Sequence, residues 1–298
     1  MNRPNLFLIG AMKSGTTTLH ELMARHPQLA MSEPKEPCWF VAPADLQAWW
    51  PEMWRRGFWK SEAAYLAIFP AKPGARYLGE SSTDYTKRPK LDGIVERIAA
   101  YAADARFVYI MRDPVERTIS HYWHMVELRG EARPPLQAIV EEPHYTEVSH
   151  YVDQLAPYLQ RFGRERVHAL TFEELKRDPV AAVRGVFEWL GVDTDFVPDA
   201  VGSAHNVTPE EVKQKRAGMG LLDRLRHSDA WTAVGPLVPP AVRKLGVALV
   251  EKPVLRREVD LAPVVAHLRP LQQAQTRVLE AQLGRRFDDW KTLWGGTA

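Results

Sequence analysis

Apolar and polar positions follow two rhythms along this chain. Residues 5–10 form a short apolar run closed by Gly10, the mark of a strand buried on both faces. A helical period takes over in Thr16–Arg25 and stops at His26-Pro27. A tryptophan-rich segment follows, with helical patches at 45–50 and 61–69. Residues 77–80 read as a second strand, 90–102 as a second helix, and 106–111 as a third, strongly apolar strand. Asp113-Pro114 caps a helix that runs to about residue 127, with proline in its first turn. Residues 127–143 read as a loop punctuated by Arg133-Pro134-Pro135. Beyond it come a helix at 151–162, a short strand at 167–171 and a helix at 179–190. Residues 195–260 are proline-rich and irregular, and a last amphipathic helix spans 261–283. This alternation predicts an α/β fold with a central parallel sheet and helices on both faces. No repeat, low-complexity tract or linker interrupts it, so one domain over residues 1–298 is expected.

The first strand runs into a turn that reads Gly10-Ala11-Met12-Lys13-Ser14-Gly15, and a helix begins at Thr16. Backbone N–H groups and a helix N-terminus then point at one spot, which suits an anion. A nucleotide-hydrolysing P-loop reads G-x-x-x-x-G-K-[ST]. Gly10 and Gly15 keep that two-glycine skeleton, but Thr16 stands where the lysine belongs and Lys13 has moved forward. The P-loop-like turn can cradle a phosphate without the lysine that reaches a γ-phosphate. A 5′-phosphate carrying another transferable group fits it better.

Composition adds bounds. A net charge of +2 gives no global field for nucleic acid or membrane surfaces. Cys38 is the lone cysteine, so no internal disulfide can form and nothing requires an oxidising compartment. The N-terminal apolar run is short for a signal peptide, and no stretch approaches the ~18 apolar residues of a membrane span. A soluble, cytoplasmic protein is expected. Of ten tryptophans, Trp39, Trp49, Trp50, Trp54 and Trp59 sit close together, where they could form core or line a groove.

In a parallel sheet, ligands bind beyond the C-terminal ends of the strands. Three such ends carry chemistry here: the Lys13 turn, Gly79-Glu80-Ser81-Ser82, and Met111-Arg112-Asp113-Pro114 with Ser120 in the helix beyond. Arg112 is well shaped to hold a second phosphate bidentately, and Ser120 could add a hydroxyl. Two anion sites on one edge suggest a nucleoside with phosphates at opposite ends.

These motifs resemble those of sulfotransferases that use 3′-phosphoadenosine 5′-phosphosulfate (PAPS), in particular the branch with the glycan sulfotransferases of heparan sulfate biosynthesis. The resemblance rests on Lys13-Ser14-Gly15-Thr16-Thr17-Thr18-Leu19, on His26-Pro27-Gln28-Leu29, and on Lys35-Glu36 followed by Phe40. It also rests on the run from Arg106 to Ser120 and on the tail at 282–290, so it spans nearly the whole chain. It implies in-line transfer of a sulfuryl group to an acceptor hydroxyl or amine, with adenosine 3′,5′-bisphosphate as product. Lys13 would neutralise charge on the leaving phosphate and sulfuryl oxygens. Ser14, Gly15, Thr16, Thr17 and Thr18 would hold the 5′-phosphate, Arg112 and Ser120 the 3′-phosphate, and Glu36 would act as base. No metal is required. The acceptor could be a glycan, a lipid or a small natural product, and the tryptophans after Glu36 would border it.

Other roles stay open. Glu33, Glu80 and His150 are alternative bases, and Glu80 could instead order the cleft by pairing with Lys13 or Arg112. Arg112 could serve only as an ion-pair partner of Asp113 or Glu116. His121, Tyr122 and Trp123 follow Ser120 where some family members carry an aromatic stacker for adenine, and Lys213-Gln214-Lys215-Arg216 is the candidate basic loop over the 3′-phosphate. An ATP-dependent kinase or NTPase would explain the turn and Asp113, but Thr17 would have to hold Mg²⁺ alone. A nucleotide sensor would use the same pocket without a base.

Overall fold

A computed structural model describes residues 3–198, 210–215 and 251–295. Its frame is a parallel sheet of five strands among the described residues: β1 (Leu6–Gly10), β2 (Leu29–Met31), β3 (Tyr77–Ser81), β4 (Arg106–Met111) and β5 (Val167–Thr171). Their order is β2-β3-β1-β4-β5. β1 lies at the centre, with Phe7 opposite Glu80 on one side and Phe107 on the other. All five β1 residues are buried, as a strand covered on both faces requires.

Side chains alternate across that sheet. Leu6, Leu8, Val108 and Ile110 pack with Leu19, Leu22 and Met23 of α1 (Thr16–Arg25) and with Val183, Val186 and Phe187 further along the chain. Phe7 and Phe107 face the other way and meet Phe40, Tyr158 and Phe162. Helices therefore flank the sheet, as expected.

Between β2 and β3 the chain forms α2 (Pro43–Trp49), α3 (Pro51–Arg56) and α4 (Glu62–Leu66). α5 (Ile94–Tyr101) leads to β4, and α6 (Pro114–Arg129) leaves it. α7 (Pro135–Glu141), α8 (His144–Glu147) and α9 (Tyr151–Phe162) precede β5, and α10 (Phe172–Arg177) and α11 (Pro179–Leu190) follow it. β6 (Glu211–Lys215) and β7 (Glu251–Leu255) pair antiparallel. The chain closes with α12 (Ala262–Leu283) and α13 (Lys291–Trp294).

The observed ends of α1, β4, α9, β5 and α11 coincide with the sequence expectation. The 127–143 loop does not, because α7 lies within it. Pro135 there starts a helix at its first turn instead of ending structure. β2 has three residues, too few to show a period. α10 begins with a capping box between Thr171 and Glu174, a local signal that the period-based expectation leaves out.

Cα packing divides the chain into two compact units. The first comprises Met1–Thr118, His144–Asn206 and Leu268–Ala298 and holds the sheet. The second comprises Ile119–Pro143 and Val207–His267. Within the second, Tyr122 OH donates to the Arg133 carbonyl (3.0 Å), Gln214 Nε2 donates to the Glu131 carbonyl (2.7 Å), and Arg133 pairs with Glu131 and Glu141.

Candidate active site

Three loops at the C-terminal ends of β1, β2 and β4 carry the predicted chemistry. The first opens at Gly10, whose φ of 148° places it where a Cβ would lie 2.2 Å from Thr86 Oγ1. Only glycine fits that approach. Lys13 follows with φ 69°, a left-handed conformation uncommon for a side-chain-bearing residue. Gly15 then caps α1 at φ 90°, and a Cβ there would press the Phe172 ring at 2.7 Å. The first-turn N–H groups of α1 lack intrahelical acceptors by geometry, and no acidic side chain stands in that turn. Ser14 Oγ is buried with no hydrogen-bond partner at bonding geometry. Thr16 is buried, while Thr17 and Thr18 are half-buried. An orphaned hydroxyl beside a helix N-terminus fits the 5′-phosphate end of a nucleotide.

The second loop brings Glu36 to this spot. Ser32 N donates to the Gly79 carbonyl (2.7 Å) and Glu36 N to the Ser81 carbonyl (2.9 Å), so residues 32–36 run on beside β3. Glu36 has φ 60°. Its Oε2 accepts from Thr83 N (2.9 Å) and its Oε1 from Lys35 Nζ (3.1 Å). Lys35 Nζ also donates to Thr16 Oγ1 (3.0 Å) and Thr17 Oγ1 (3.4 Å). One ammonium thus joins the predicted base to the start of α1. The Glu36 side chain keeps 23% of its surface open, enough to meet an acceptor.

The alternative bases are placed differently. Glu80 is fully buried and accepts from Tyr65 OH and Tyr85 OH (2.8 Å each) and Ser82 Oγ (3.1 Å). Burial pushes its carboxyl up to about 7, against the pull of those three donors. The hydrogen bonds of Glu80 go to two tyrosines and a serine, so it orders the wall behind the loop. Glu33 is exposed. His150 caps α9 and faces Asp153 at 3.7 Å, and burial lowers its pKa.

At the third loop, Asp113 uses both oxygens on backbone: Oδ1 takes Val115 N (3.0 Å) and Glu116 N (3.3 Å), and Oδ2 takes Leu293 N (2.8 Å). That is helix capping and tail docking, which accounts for the acidic residue that the phosphotransfer reading would have explained. Glu173 supports the same corner, accepting from Asp113 N (3.0 Å) and Trp290 Nε1 (3.1 Å); burial pushes its carboxyl up to about 7. Arg112 is half-buried and pairs with Glu116 (2.7 Å), the partner named in its purely structural reading. Its guanidinium also lies 5.2 Å from the centre of the Phe172 ring. Phe172 therefore touches both Gly15 and Arg112. Ser120 is buried on α6, in the part assigned to the second unit. Of the candidate basic loop, Arg216 lies outside the described residues.

None of the five clustered tryptophans is buried. Trp39 stacks on Tyr65 (4.7 Å, 4°) and Trp54 on Trp59 (3.9 Å, 17°), while Lys87 sits over Trp50 (4.3 Å) and Lys90 over Trp49 (3.7 Å). These tryptophans are half-buried or exposed rather than core. Lys87 also pairs with Asp84, both buried, and Asp84 accepts from Cys38 Sγ at 3.4 Å. Sequence reasoning missed the roles of Lys35, Thr83, Phe172 and His20. The His20 Nδ1 lies 2.7 Å from Ser81 Oγ, and burial, with Lys35 nearby, lowers its pKa to about 4.

The fold and these three loops define a class. A family model described as the sulfotransferase family matches residues 4–196, and the chain belongs to that family. A crystal structure of a sulfotransferase from Alicyclobacillus acidocaldarius superposes with a TM-score of 0.66 at 28% identity, covering 98% of this chain and 100% of that one. The membrane-associated sulfotransferase kil1 of Dictyostelium discoideum is 29% identical over 136 residues, 45% of this chain and 26% of that protein. Mouse heparan sulfate glucosamine 3-O-sulfotransferase 3B1 is 23% identical over 199 residues, 63% of this chain and 46% of that protein. The chain thus spans half or less of these two relatives. No helix among the described residues is long and apolar enough to cross a membrane.

Proposed function

We propose that this protein transfers a sulfuryl group from PAPS to an acceptor hydroxyl or amine, with both compact units acting as one sulfotransferase domain. The observation that carries this reading is the meeting of Glu36 with the N-terminus of α1, joined through Lys35. A binding loop alone needs no partly open carboxylate joined to it.

Bound there, the donor supplies an electrophilic sulfur and a 5′-phosphate leaving group. The N–H groups of Gly15, Thr16 and Thr17 hold the 5′-phosphate, with the hydroxyls of Ser14 and Thr18 beside them. Lys13, presented by a left-handed backbone, offsets the charge that grows on the leaving oxygen. Glu36, fixed by Thr83 N, removes the acceptor proton. Arg112 holds the 3′-phosphate, which requires it to exchange Glu116 for the ligand. The positive charge is all on side chains and the helix end, so these steps call for no metal. The tryptophans after Glu36 border the acceptor, a glycan, a lipid or a small natural product. A buried free Cys38 suits the reducing cytoplasm.

Calorimetric titration tests the reading. Micromolar binding of adenosine 3′,5′-bisphosphate, equal with and without Mg²⁺ and far tighter than ATP, is expected. Binding of Mg-ATP alone would overturn it.

A further inference from the structure

Lys35 occupies a position that the fold does not explain. Its side chain is 19% exposed, and an ammonium has three N–H donors. All three have oxygens in reach: Thr16 Oγ1 at 3.0 Å, Thr17 Oγ1 at 3.4 Å and Glu36 Oε1 at 3.1 Å. Thr16 and Thr17 are the first two residues of α1. A cation at a helix N-terminus opposes the helix dipole and is unfavourable by about 0.3–1 kcal/mol. The ion pair with Glu36 offsets part of that cost, and the two threonine hydroxyls add little for a lysine that could extend into water. An anionic donor seated on the first turn of α1 reverses that balance, because Lys35, tied on its other side to Glu36, can then ligate the end of the donor that faces the base. The buried Ser14 hydroxyl, which makes no hydrogen bond of good geometry, lies in the same turn.

We propose that Lys35 is a second cation of the transfer site, one that grips the oxygens of the sulfuryl group and holds Glu36 beside the acceptor. The inference rests on the sulfotransferase reading above. In the transfer, the acceptor oxygen (or nitrogen) forms a bond to sulfur as its proton passes to Glu36. The bond from sulfur to the 5′-phosphate oxygen breaks, and its electron pair leaves with the bisphosphate. Lys35 gives up no proton; it spans the sulfuryl oxygens and the Glu36 carboxylate throughout. Lys13, in the loop itself, is left to the leaving oxygen. Two lysines thus divide the charge, one on the departing phosphate and one on the group in flight.

Adenosine 3′,5′-bisphosphate lacks the sulfuryl group and PAPS carries it, so their affinities separate this role from a structural one. Both are measured by calorimetry on wild type, Lys35→Met and Lys35→Arg, with thermal melting alongside. The expected result for Lys35→Met is a bisphosphate Kd within about threefold of wild type and a PAPS Kd weaker by about 10-fold or more, as for loss of a charged hydrogen bond. Lys35→Arg should recover most of the PAPS affinity while keeping the bisphosphate value. Equal weakening of both ligands by Lys35→Met, or no weakening of either, overturns the proposal. Should Lys35→Met fail to fold, the PAPS-to-bisphosphate ratio in Lys35→Gln decides in the same way. Failure of the wild-type protein to bind bisphosphate is a separate result, and it sinks the underlying sulfotransferase reading.

Discussion

Replacing Glu80 by glutamine should change how stability depends on pH, and the size of the change follows from its surroundings. The carboxyl is fully buried, with only neutral donors against it. Burial raises its pKa from the ordinary 4.5 to about 7. The folded state therefore holds this proton more tightly than the unfolded chain does. Such a contribution to stability is whole below about pH 4.5 and is lost as pH rises through about 7. One pKa unit corresponds to about 1.4 kcal/mol, so the ceiling for Glu80 is roughly 3 kcal/mol. Glutamine is nearly isosteric and does not titrate. Wild type and Glu80→Gln should then diverge between pH 5 and pH 8, wild type losing up to roughly 3 kcal/mol relative to the variant. Glu173, also held near 7 by burial, is common to both proteins and cancels in the difference. Urea unfolding at the two pH values reads it directly. A difference in stability that stays within about 0.5 kcal/mol across that range would show that Glu80 titrates normally and that the burial argument is wrong.

Three further expectations concern the chemistry. Lys13→Ala should lower sulfuryl transfer by about 10²–10³-fold with an unchanged melting temperature; near-normal turnover would remove Lys13 from the reaction. Arg112→Ala should weaken adenosine 3′,5′-bisphosphate by about 10-fold or more while leaving adenosine 5′-phosphosulfate, which has no 3′-phosphate, almost unaffected. Equal losses for both would assign Arg112 to Glu116 alone. Glu36→Gln should keep bisphosphate affinity within about twofold and lower transfer by about 10²–10⁴-fold; retained activity would move the base elsewhere.

The parts of this protein legible in its sequence are those with a local cause. β1 and its turn could be read because a buried strand, two glycines and a helix start fall within a few residues of one another. α9, β5 and α11 could be read because caps and periods are local too. Lys35 was visible as a neighbour of Glu36, yet its meeting with Thr16 and Thr17 depends on residues 32–36 running on beside β3. Glu80 shows the same limit: its place at a strand end was plain, but the two tyrosines that take it out of the cleft come from α4 and the segment after β3. Phe172 gave no signal, since its role under Gly15 and near Arg112 arises from packing alone. Arg112 was offered two partners by sequence, Asp113 and Glu116; Asp113 spends both oxygens on backbone N–H groups, and the ion pair forms with Glu116.

Lys13, Glu36 and Cys38 all hold positive φ with a side chain in place. Each such conformation is destabilising by about 1–2 kcal/mol, and glycine would adopt it freely. Natural variation that favoured stability alone would drift toward glycine at these positions and erase two of the side chains assigned to the reaction. The ceiling on this protein's robustness is therefore set partly by its own active loops, and engineering for heat resistance would gain most easily where it harms activity most.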